Sequence, residues 1–139
     1  MRPILITVPR RAEDPMTSGE MISRIKNTTG EFKFVPVLFV DMLETELVLV
    51  FCVSQGLEHK DLFSQGRYII HRDSKNLRYV EGTKPFEHED GGGYLRIEDG
   101  VLRFYGESNA FGPYKKEILK RVNPPQLLKL FDVHTVKFE

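Results

Sequence analysis

The residues best suited to chemistry in this chain lie in Tyr-Gly-Glu-Ser-Asn-Ala-Phe-Gly-Pro, residues 105–113. Ser108 supplies a hydroxyl, and Asn109, Ala110 and Gly112 belong to a short loop of small residues with free backbone N–H groups. Pro113 suits the first turn of a helix, where its missing N–H costs nothing. Tyr114, Ile118, Leu119 and Val122 then share one helical face. The spacing therefore predicts a strand, a loop and a helix over 113–122. Unpaired N–H groups and the positive end of the helix dipole converge at such a junction, and they bind anions, phosphate above all. An ordinary strand–loop–helix connection uses the same residues, so a second group is needed before anion affinity becomes chemistry. Of the four histidines, His71 closes the strand-like run Arg67-Tyr-Ile-Ile-His-Arg72. A neutral imidazole near pH 7 can take a proton from water or attack phosphorus itself. His88, just before the run Gly91-Gly-Gly93, is the alternative, and His59 and His134 read as loop and strand-face residues.

A hairpin must deliver this loop. Asp99-Gly100 is the strongest short hairpin signal, because a two-residue type I′ turn needs positive φ at both central positions. Fixing the turn sets Ile97 against Leu102 and Leu95 against Phe104 on one side. The other side pairs Tyr94 with Tyr105 and Arg96 with Arg103. Two arginines directly opposite repel, so either nearby acids or an anionic partner must neutralise them. They are candidates for a rim that receives a phosphoprotein.

Three glycines, a hairpin, then Tyr105-Gly106-x-Ser108-x-Ala110-Phe111-Gly112-Pro113 and an amphipathic helix resemble the C-terminal half of the protein-histidine phosphatases, the janus/ocnus family. The resemblance covers roughly residues 90–122, with a last strand near 133–138 also fitting. It implies that the serine and the alanine backbone of the loop hold phosphate. It also implies an essential histidine at the end of a strand about twenty residues before the glycines, which is where His71 stands. Lys33, in Gly30-Glu-Phe-Lys-Phe34, is similar to a family lysine early in the first strand, where it would offset phosphate charge as a point cation; a solvent-facing strand lysine is the plainer reading. The chain departs from the family between His71 and the glycines. The family has a long helix there, and this chain has Asp73-Ser-Lys-Asn76, β-like residues and Lys84-Pro85.

Composition limits the classes. The chain has 139 residues, 40% apolar and 29% charged, with a formal net charge of zero. That suits one globular domain over 1–139 with a real core, and it disfavours nucleic-acid or membrane binding through bulk charge. The single cysteine, Cys52, lies in an apolar run and reads as a buried thiol. No signal peptide or membrane-length run is visible, so a cytoplasmic protein is expected. There is no Cys-x5-Arg loop, no nucleotide-binding glycine loop and no cluster with metal-ligand spacing, so neither metal nor cofactor is expected.

The remaining elements follow from pattern. Residues 3–8 form a short buried strand. Thr17-Ser-Gly-Glu20 is a capping box opening a helix that carries Met21, Ile22 and Ile25 and ends near Gly30. Residues 32–40 are a strand in which Pro36 marks an edge or bulge. Residues 47–53, apolar without alternation, form a central strand covered on both faces. A short helix is expected around 60–63, a strand at 67–72 with 77–80 as its hairpin partner, a short helix at 126–131, and a last strand at 134–138. Together they predict an α+β fold, a mixed β-sheet with helices on its faces, janus/ocnus-like. The expected function is a small metal-independent phosphohydrolase that acts on phosphohistidine in proteins or on a phosphate-bearing small molecule. The alternative is a non-catalytic module that binds a phosphoprotein or an RNA backbone.

Overall fold

The computed structural model describes residues 2–8, 17–73, 76–80, 91–122 and 124–139. Two long strands decide the architecture. β2 (Phe32–Asp41) and β3 (Glu46–Ser54) pair antiparallel from Lys33↔Ser54 to Asp41↔Glu46. Leu49, Phe51 and Val53 of β3 enter one apolar cluster, and Val48, Val50 and Cys52 enter another. A strand buried on both sides needs cover on both, as its unbroken apolar run requires. β1 (Arg2–Thr7) lies parallel beside β3. On the far side, β5 (Gly93–Glu98) pairs with β2 at 32–34, and β4 (Leu77–Tyr79) pairs with it at 39–41. β6 (Val101–Tyr105) follows antiparallel to β5, and β9 (Thr135–Phe138) runs parallel to β6. The sheet order is β1-β3-β2-β5-β6-β9, with β4 off that path, and the fold is α+β.

Three helices cover the first face: α1 (Ser18–Asn27), α3 (Lys116–Lys120) and α4 (Pro124–Phe131). They bury Met21 and Ile25, Leu119, and Leu127 and Phe131 among Phe34, Phe51, Leu95 and Phe104. Thr17 caps α1, its hydroxyl accepting the Glu20 N–H at 3.2 Å. Among the described residues a single helix, α2 (His59–Asp73), covers the second face over β1, β2 and β3, through Leu62, Phe63 and Ile70. No helix among the described residues is long and apolar enough to cross a membrane.

The hairpin forms as its turn dictates. Asp99 and Gly100 have φ of 52° and 72°, and the pairs Tyr94↔Tyr105, Leu95↔Phe104, Arg96↔Arg103 and Ile97↔Leu102 are all present. The arginine pair is neutralised from within: Arg96 meets Glu98 at 3.0 Å, and Arg103 is bonded to Glu139.

Several expectations are corrected. Residues 67–72 are helical, not a strand; they extend the helix expected at 60–63 into a fifteen-residue element. Leu62, Phe63, Gly66 and Ile70 follow helical spacing toward one core, and that longer period outweighs the local β-branched run. Gly66 permits the close crossing, since a Cβ there would lie 2.5 Å from Cys52 Sγ. The 77–79 segment consequently pairs with β2. The helix expected from Pro113 begins at Lys116, because Gly112–Pro113 is instead a strand, β8, paired with β7 (Glu107–Ser108). Pro36 lies in the gap between the stretches of β2 that pair with β5 and with β4, and among the described residues it is paired only with Phe51 of β3, a local edge within the sheet. Gly30 does not cap α1; Thr28 does, in an extended conformation.

Candidate functional site

Four segments distant in sequence meet at the carboxyl end of β3: the start of α2, the glycine run, the β7–β8 ribbon and the start of β2. The glycine run is their common support. Gly92 N–H donates to Gly112 O at 3.2 Å, and Gly92 O accepts Ser108 N–H at 3.0 Å. Gly93 O accepts Nε2–H of His59 at 2.8 Å. Glycine is required at 92 for lack of space: a Cβ there would lie 2.9 Å from Cδ2 of His59 and 3.3 Å from Cβ of Ser108. The imidazole and the serine side chain thus flank one point.

Because a carbonyl can only accept, the Gly93 bond fixes the proton on Nε2 of His59 and leaves the Nδ1 lone pair free. The ring is 4% exposed. Its pKa is lowered from the ordinary 6.5, first by burial; the Gly93 carbonyl opposes this, Lys33 adds to it, and Glu58 opposes it again. His59 is therefore a neutral base at pH 7. The unfolded chain takes up this proton near pH 6.5 and the folded chain only at lower pH. The stability contributed by the neutral ring is present above 6.5 and lost as pH falls below it. Urea unfolding at pH 5 and pH 7.5 should show a smaller acid loss for His59→Gln than for wild type; equal losses would contradict the assignment.

Ser108, only 2% exposed, accepts the N–H groups of Ala110 and Phe111, each at 3.2 Å. The loop does offer two converging backbone donors, and the serine hydroxyl occupies the place of an anion oxygen. The donors arise from a turn between β7 and β8, not from a helix N-terminus, so the dipole expected at 113 plays no part. Asn109 and Ala110 form its exposed tip, and Gly112, at φ 77°, completes the reversal. Lys33 lies on the α2 side of β2, a quarter exposed, with Nζ 3.8 Å from Glu58. Beyond His59 the same sheet face carries Tyr94, edge-on to the imidazole at 5.3 Å between ring centres, then Tyr105 at 6.0 Å and the guanidinium of Arg96.

Of the residues singled out by sequence, Lys33, Ser108, Asn109, Ala110 and Gly112 belong to this region, and Arg96 and Arg103 lie further along the same face. His71 does not end a strand. It lies in the last turn of α2, about 18 Å along the axis from His59 at roughly 1.5 Å per residue. His88 lies outside the described residues. His134 packs on the hairpin turn, its N–H bonded to Gly100 O at 3.1 Å. His59 opens α2 and does not lie in a loop. The signal that finds it is the helical stripe Leu62, Phe63, Gly66, Ile70, which extends back to place His59 at a helix start just after the central strand.

Three carboxylates, Asp41, Glu44 and Glu46, also cluster at the β2–β3 turn, but the guanidinium of Arg2 fills them, at 2.9, 3.0 and 3.2 Å. In comparisons with known proteins, no family model and no curated protein matches the chain.

Proposed function

We propose that this protein is a small metal-independent phosphohydrolase similar to the protein-histidine phosphatases, with His59 in the role that the sequence pattern gave to His71. The observation that carries the reading is the approach of His59 and Ser108 to one point at Gly92. A neutral imidazole, two backbone donors and a lysine are the parts that a phosphoryl group needs: a base or nucleophile, a cradle and a counter-charge. The order of elements supports it too. His59 comes after β3, opens the fifteen-residue α2 and precedes the glycines, the order the resemblance implies, though it stands 32 residues before Gly91 and not about twenty. In the reaction, the phosphate oxygens displace Ser108 Oγ from the Ala110 and Phe111 N–H groups, and the hydroxyl turns to donate. Either Nδ1 of His59 attacks phosphorus as the bond to the leaving nitrogen or oxygen breaks, the leaving group takes a proton from solvent and water then hydrolyses the phosphoimidazole to phosphate, or Nδ1 takes a proton from a water that displaces the leaving group directly. Lys33 exchanges Glu58 for phosphate.

The test is turnover of a phosphohistidine peptide or an aryl phosphate, with chelator present. Activity should persist, and Cys52→Ser should retain it, since burial raises that thiol to about 12 and leaves no thiolate. Isothermal calorimetry with inorganic phosphate should show Ser108→Ala weakening binding by about 1 kcal/mol, the net worth of one typical hydrogen bond. Glu58→Gln should strengthen it by freeing Lys33. A wild type without phosphate affinity would dispose of the proposal.

The second reading is a phosphate-binding module without turnover, which recognises a phosphorylated protein. The near-complete burial of His59 and the self-satisfied Ser108 loop favour it. Phosphate affinity without hydrolysis of any phosphorylated substrate would select it.

A further inference from the structure

Next to the proposed anion site the sheet carries an aromatic surface that phosphate alone does not use. Tyr94 stands edge-on to His59, and Tyr105 stacks beside Tyr94 with an interplanar angle of 26°. Gly106, at φ 74°, backs the Tyr94 ring: a Cβ there would lie 2.7 Å from Cδ2, so any larger residue would displace it. The far end is held as firmly. The Tyr105 hydroxyl donates to Glu31 at 2.5 Å, and Arg96 Cζ sits 5.4 Å above the ring. Burial and the Glu31 bond raise the Tyr105 pKa. Both tyrosines keep part of their surface in solvent. The helix of this face, α2, packs on β1, β2 and β3 and meets β5 through its first residue, His59, at Gly93 and Tyr94.

From this geometry we infer that Tyr94, supported by Tyr105, is a specificity-determining residue that takes a planar ring carried by the phosphoryl group. The inference rests on the anion site proposed above. The Tyr94 ring borders the imidazole at 5.3 Å between ring centres, so a phosphoryl group seated between His59 and the Ser108 loop has that ring beside it to meet its substituent. A flat ring stacks there; a methyl or hydroxyalkyl group leaves the surface wet.

The test uses non-hydrolysable ligands, so leaving-group reactivity does not enter. Dissociation constants of phenylphosphonate, cyclohexylphosphonate and methylphosphonate are measured by calorimetry, with inorganic phosphate as reference. Wild type should bind the phenyl compound about 3- to 10-fold more tightly than the methyl one, the worth of one aromatic contact, and more tightly than the cyclohexyl one. Tyr94→Leu should bring the phenyl-to-methyl ratio close to one, and Tyr94→Phe, which keeps the ring and serves if the leucine variant does not fold, should preserve it. A ratio near one in wild type that binds phosphate, or a ratio unchanged in Tyr94→Leu, would overturn the inference and leave the anion site standing. Absence of phosphate binding would remove both.

Discussion

Replacing His59 with alanine is expected to lower hydrolysis of a phosphorylated substrate by at least about 10²–10⁴-fold, the contribution of a general base, and by more if the imidazole is the nucleophile. His71→Ala should leave turnover within a few-fold, because α2 carries that residue toward its far end. The pH profile should separate a chemical role from a structural one. In wild type the acid limb should fall below the ordinary histidine value of 6.5, because burial and Lys33 keep the ring neutral. Lys33→Met removes a cation that lowers the pKa, so the limb should move up. Glu58→Gln removes an anion that raises it, so the limb should move down. A purely structural histidine would leave the limb in place in both variants. Steady-state rates against pH for the three chains decide the matter, with circular dichroism to confirm folding.

The second large effect is on stability. Gly91→Ala should destabilise the protein by about 2–5 kcal/mol. Gly91 has φ 68°, a region that costs an L-residue about 1–2 kcal/mol. In addition, its Cβ would lie 2.0 Å from Pro113 O and 2.9 Å from Tyr114 N, which are backbone atoms with no rotamer to change. Forcing them apart costs about 1–3 kcal/mol more. The contrast is Gly112, at φ 77° with nothing within 4 Å of its Cβ, where alanine should cost only the backbone share, about 1–2 kcal/mol. Urea denaturation of the two variants measures the difference. Equal losses would mean that the glycine run does not wedge against the Ser108 ribbon. Phosphate affinity should fall with stability in Gly91→Ala, since the same wedge positions Gly92 between His59 and Ser108.

The sheet was legible where two local rules agreed. Asp99-Gly100 set a turn, the alternation of Leu95, Ile97, Leu102 and Phe104 set the same register, and the hairpin follows both. The unbroken apolar run 47–53 identified a strand covered on both faces, and β3 is that strand. The reading failed where a short pattern concealed a longer one. Tyr68-Ile-Ile70 has strand-like composition, yet the positions that matter are Leu62, Gly66 and Ile70, four residues apart. That reading placed His71 at the end of a strand, whereas it lies in the last turn of α2. The Pro113 signal misled in the same way: proline fits a first helical turn, but Gly112 at positive φ and the bond from Gly92 N–H to Gly112 O hold this segment extended. The meeting of His59 with Gly92 and Ser108 was not readable from spacing, because it depends on β2 bringing β3 and β5 into one sheet. Arg96 and Arg103 required anionic neighbours, and Glu98 and Glu139 provide them.

The central claim is that His59 and the Ser108 loop serve one anion. The most direct measurement is a phosphate titration followed by NMR, observing the His59 ring nitrogens together with the amides of Ala110 and Phe111. The two amides and the ring should move along one binding curve, and the His59 pKa should rise in the complex, because a bound dianion favours the imidazolium. Amides that respond while the His59 ring stays unchanged, with the same pKa in saturating phosphate as without it, would contradict the account.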